Sequence, residues 1–161
     1  MIASAHVAAG FVAGMVAARI TERRVHRIAA AFGLGLLSHV ALDAVPHADY
    51  WQLPPSTVVK VVFCEIVLVS TIAALILRRR LTPDWPEYLL SGLAGSVILD
   101  AKFTARILLP QGPARSVEHF GDYLHRFFHA AYLSHPLPGT VAEITTTILL
   151  LALLTRFPRK T

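Results

Sequence analysis

Residues 58–77 read Val58-Val59-Lys60-Val61-Val62-Phe63-Cys64-Glu65-Ile66-Val67-Leu68-Val69-Ser70-Thr71-Ile72-Ala73-Ala74-Leu75-Ile76-Leu77. A helix of this length rises about 30 Å, the thickness of the hydrocarbon core of a bilayer. Only Lys60 and Glu65 carry charge, and Lys60 lies near one end. Such a run is too long and too apolar for the half-exposed surface helix of a water-soluble domain.

Four further apolar stretches flank it: Ile2 to Ile20, Ile28 to Val45, Tyr88 to Leu109 and Gly139 to Leu154. Prolines break the chain between them, with Pro46, Pro54 and Pro55, then Pro83 and Pro86, Pro110 and Pro113, and Pro136 and Pro138. The stretches at 28–45 and 139–154 are short for a plain span and are expected to be tilted or re-entrant, so the count lies between four and six. The fold class expected is all-α. It is a polytopic transmembrane bundle of about five helices forming one membrane domain over the 161 residues, with an added amphipathic helix in the long loop before the last span. A 55% hydrophobic, 16% charged composition and a mean hydropathy of +0.57 agree with this class.

The formal net charge of +5 comes from short clusters rather than one basic face, which excludes nucleic acid as the expected partner. Arg19, Arg23, Arg24 and Arg27 follow the first stretch, Arg78 to Arg80 the third, and Arg156, Arg159 and Lys160 the last. The positive-inside rule then puts these loops and the C-terminus in the cytoplasm, and the N-terminus and the loops around 46–57 and 110–138 outside. The first stretch has its basic cluster after it, the reverse of a secretory signal, so it is expected to be a retained helix. The lone Cys64 lies inside an apolar run and offers neither a disulfide nor a thiolate zinc set.

Ionisable residues inside membrane helices are costly and usually face the bundle interior. Here they are His6, His39 with Asp43, Glu65, Asp100 and Glu143. Most fall in the outer half of the topology just described, Asp100 being deeper. His39 and Asp43 are four apart and share a helix face, and Pro46 ends that helix so that His47 and Asp49 can fold back over its mouth. These imidazoles and carboxylates suit a divalent metal, zinc first, with manganese or iron as alternatives. The competing reading is a polar helix end meeting water and headgroups.

In the last long loop, Glu118, Asp122, His125 and His129 fall on one side at helical spacing, a pattern that a solvated amphipathic helix also explains. His125 and His129 are further candidate ligands. Glu65, Asp100 and Glu143 are candidates for a general base or for a carboxylate orienting an imidazole. Arg106 is a candidate for a substrate phosphate, with snorkelling to headgroups as the alternative. Gly10 and Gly14 after His6, Gly35 before His39, and Gly92 and Ser96 before Asp100 read as close helix packing around the polar core. His26 and His135 read as loop residues, and Trp51 and Trp85 as interface anchors.

The early His6, the pattern Ser-His-x-x-x-Asp-x-x-Pro-His-x-Asp over Ser38 to Asp49, the Gly-rich helix leading to Asp100 and the His-Arg-Phe-x-His segment at His125 to His129 together resemble a family of small prokaryotic inner-membrane proteins regarded as metal-dependent hydrolases. Where larger relatives carry Asp-x-Asp-His between the first two helices, this chain has Thr21-Glu22-Arg23-Arg24. The resemblance implies an all-helical membrane domain with a His/Asp metal site. The function expected is hydrolysis of an ester or phosphoester in a lipid or lipid-linked substrate. Alternatives are proton or divalent-cation transport, a haem protein with axial histidines, and a purely structural role for the buried carboxylates.

Overall fold

The computed structural model describes residues 3–44, 54–78, 85–99 and 136–157. Among these, five helices and no strand are present: α1 (Ala3–Ile20), α2 (Arg24–Asp43), α3 (Pro55–Leu77), α4 (Trp85–Val97) and α5 (Pro136–Arg156). Arg24–Asp43, Val59–Leu77 and Gly139–Arg156 are long and apolar enough to cross a membrane. The expected loop helix around 118–129 lies outside the described residues.

Helices α2 and α5 are longer than apolar runs alone would make them. In α2 the added turn begins at Arg24 and includes Arg27, which folds back on the α1–α2 turn. Its Nε donates to the Thr21 carbonyl and its Nη2 to the Glu22 carbonyl, supplying donors to the end of α1, where carbonyls lack helical partners. The same guanidinium lies 5.3 Å from the centre of the Tyr88 ring of α4. Arg24 pairs with Glu87 of α4, and Arg19 lies over Phe157, just past α5. The C-terminal ends of α1 and α5 and the N-terminal ends of α2 and α4 are thus tied together by arginines at one end of the bundle.

Helix α1 is the centre of the bundle and packs against all four others. On one side stand α2 and α4, on the other α3 and α5. The buried residues of α2 are Arg27, Ala31, Gly35, His39 and Asp43, each four after the last, a single ridge that is basic below, small in the middle and ligand-bearing above. The small middle permits very close backbones. A Cβ on Gly10 would sit 2.5 Å from Ser96 Oγ and 2.7 Å from Leu93 Cα, and one on Gly14 would sit 2.8 Å from the Tyr88 carbonyl. Cβ atoms on Gly35 or Gly92 would overlap backbone of the neighbouring helix. Gly92 of α4 therefore lies between Gly10 of α1 and Gly35 of α2, the small-residue packing that apolar solvent favours.

On the other side packing is looser. Val69, Ala73 and Leu77 form the buried stripe of α3, all after Glu65, whereas Val59, Lys60, Val61, Phe63 and Cys64 are exposed. Exposed Leu68, Leu75, Ile144, Leu149 and Leu153 give α3 and α5 an apolar outer surface, which suits contact with lipid.

Candidate metal centre

The three-glycine contact sets the register of the site. One helical turn from Gly10, Gly35 and Gly92, toward the end away from the arginines, stand His6, His39 and Ser96. Because α1 runs opposite to α2 and α4, this turn is four residues before Gly10 and four after the other two. His6, His39 and Ser96 are all fully buried, and Asp43 is 3% exposed.

His39 Nε2 lies 3.1 Å from Asp43 Oδ2, and His6 Nε2 lies 3.5 Å from Asp43 Oδ1. The two imidazoles stack with ring centres 4.2 Å apart and planes 21° apart. His39 Nδ1 is 2.7 Å from the Ser96 carbonyl oxygen. A carbonyl only accepts, so the proton is assigned to Nδ1, and Nε2 presents its lone pair toward Asp43 and His6. Ser96 is in the last turn of α4, where carbonyls have no helical donor. His39 supplies that donor, and the carbonyl in turn fixes the imidazole.

One ligand atom from each of His6, His39 and Asp43 lies within 4.8 Å of the others. Bonds of about 2.0–2.1 Å in a tetrahedral zinc site put neighbouring ligand atoms about 3.3 Å apart; the imidazole-to-carboxylate separations of 3.1 and 3.5 Å, which end on different oxygens of Asp43, are of that order. The donor set is two imidazoles and one carboxylate, which leaves room for a fourth ligand from solvent or substrate. It suits zinc, and also iron or manganese. The anchored Nδ1 of His39 is the outer partner that metal-bound histidines commonly have.

Glu65 makes its contact at Ser4, two residues before His6. The Ser4 amide donates to Glu65 Oε2 over 3.3 Å, and the hydroxyl oxygens of Ser4 and Thr147 are hydrogen-bonded over 3.3 Å. Thr147 also donates to the Glu143 carbonyl, and Glu143 is 2% exposed. Ser4 and His6 are two residues apart, about 200° around a helix. The contacts of Ser4 with Glu65 and Thr147 therefore lie on the α3/α5 side of α1, while the histidine–aspartate set occupies the α2/α4 side. Sequence reading named Ser96 for packing only and did not single out Ser4 or Thr147. The four-residue step from Gly92 to Ser96 was the available signal.

Contacts at Ser4 also set depth. Glu65 lies ten residues into α3 and Thr147 eleven residues into α5, so both helices continue about 15 Å beyond the level of Ser4. His6 is level with the middle of the apolar spans 59–77 and 139–156, deeper than its distance from the start of its own helix indicates. His47, Asp49, Asp100, Arg106, His125 and His129 lie outside the described residues. Comparison with known proteins finds no match, whether among family models, characterised proteins or solved structures.

Proposed function

We propose that the chain is a membrane-embedded metal-dependent hydrolase acting on an ester or phosphoester of a lipid or lipid-linked substrate. The observation that carries the reading is the convergence of His6, His39 and Asp43 from two helices, at separations that suit one divalent ion. A metal held there supplies a Lewis acid and lowers the pKa of a coordinated water toward neutrality. The protein's own part is to hold two neutral imidazoles and a carboxylate in a water-poor setting. The Ser96 carbonyl fixes the His39 tautomer, and the glycine contacts one turn below fix the distance between α1 and α2. A lipid substrate fits a site at the level of apolar, outward-facing α3 and α5. With the arginine end in the cytoplasm of a prokaryotic inner membrane, the site faces the extracytoplasmic half.

The test is elemental analysis of purified wild type beside His39→Ala, Asp43→Asn and His129→Ala. Wild type is expected to carry about one zinc, manganese or iron per chain, with at least tenfold less in the first two variants. Retention in His129→Ala would leave the loop histidine outside the ligand set. Adding the metal at 100 times its dissociation constant should stabilise the protein by about 2.7 kcal/mol, read as a rise in Tm that chelator reverses. Wild type without metal, and indifferent to chelator, sinks the reading.

One observation favours a second reading. Glu65, Ser4 and Thr147 place polar groups at mid-span on the other side of α1, and Glu143 of α5 is buried, as a proton or divalent-cation transporter would need. Flux into proteoliposomes that is abolished in Glu143→Gln would replace hydrolysis with transport.

A further inference from the structure

The contact at Ser4 assigns Glu65 a task distinct from proton transfer. Ser4 lies in the first described turn of α1 (Ala3–Ile20), where backbone amides have no carbonyl partner four residues back within the helix. In water such amides are solvated, but at the depth of Glu65, ten residues inside α3, they need a protein acceptor. The acceptor at the Ser4 amide comes from another helix, through Glu65 Oε2 at 3.3 Å. A carboxylate at that end also complements the positive pole of the helix. The Ser4 hydroxyl is held from a third helix by Thr147.

We propose that Glu65 is a cross-helix cap that sets the height and rotation of α1, and so acts as a positioning residue for His6. His6 is two residues past the capped amide, in the first turn, where helices fray most readily. Its Nε2 must hold a separation of 3.5 Å from Asp43. Slippage or fraying of that turn moves His6 away from the ligand set while leaving His39 and Asp43, both on α2, in place. The inference rests on the metal reading for its functional consequence, though the cap itself does not.

The experiment compares wild type, Glu65→Ala and Glu65→Gln in nanodiscs with two readouts: zinc affinity by competition with a chromophoric chelator, and hydrogen exchange at the amides of residues 4–6. A carboxamide oxygen accepts the same bond. Glu65→Gln is therefore expected to keep zinc affinity within about threefold of wild type, while Glu65→Ala loses about 10- to 100-fold and exchanges faster at those amides. If Glu65→Gln falls as far as Glu65→Ala in affinity, the carboxylate charge is what matters and the cap is overturned. Unchanged exchange in Glu65→Ala overturns it as well. Should Glu65→Ala fail to fold, Glu65→Gln decides by itself, since wild-type exchange and affinity support the cap and loss of either rejects it. If wild-type protein binds no zinc but the exchange pattern holds, the metal reading fails and the cap stands.

Discussion

The two sides of α1 are built on different principles. Toward α2 and α4, glycines bring backbones into contact and every polar side chain in the stripe has a fixed place: Arg27 at one end, His39 and Asp43 at the other. Toward α3 and α5, apolar side chains are largely exposed and the polar links are a few hydroxyl and carboxylate contacts around Ser4. Close backbones give a site whose geometry is set by hard contact. Long side chains give a side that can adjust. The His6, His39 and Asp43 group, which could hold a metal ion and would then tolerate errors of only a few tenths of an ångström, sits on the first kind.

This contrast can be broken most directly at its glycines. Gly92→Val is expected to cost at least about 3 kcal/mol, because its side chain meets backbone rather than flexible atoms. Gly33, on the same α2 helix as Gly35, has open space around its Cα, and Gly33→Val should stay within about 0.5 kcal/mol of wild type. Thermal unfolding in detergent of the two variants, side by side, checks this; equal effects would mean that the α2/α4 side is not held by close contact. On the looser side, Thr147→Val removes the hydroxyl link to Ser4 and should cost about 0.6 kcal/mol, the average for such links in membranes, with metal content unchanged. Smallest of all, Glu87→Gln breaks the solvent-exposed pair with Arg24. It should cost no more than about 0.5 kcal/mol, and less in high salt, measured by the same unfolding assay.

Most of the helices were legible because apolar length is a one-dimensional signal, but α4 ends at Val97 rather than continuing along the apolar run from Tyr88 to Leu109, and at 13 residues it is not among the helices long enough to span. Their ends were less so, since Arg24 and Arg27 look like loop residues to a hydropathy reading yet extend α2 by capping α1 and packing on Tyr88. In the site, the pairing of His39 with Asp43 was readable from four-residue spacing, and His6 from its rarity in an apolar run. The part played by the Ser96 carbonyl was not readable, because every residue carries a carbonyl and only the ending of α4 leaves this one for His39. The contact of Glu65 with Ser4 shows what depth alone leaves open. Sequence places a residue along a helix axis, but the side of α1 on which it falls is decided by packing among helices far apart in the chain.

The order in which the chain supplies the two sides has a consequence for biogenesis. Helices leave the ribosome as α1 to α5, yet α2 and α4 belong to one side of α1 and α3 and α5 to the other. His39 and the carbonyl it binds are 57 residues apart, about 3 to 10 s of synthesis. During that interval Gly10 and Gly35 have no Gly92 between them, and the newly inserted α3 must be kept out of the gap that α4 will fill.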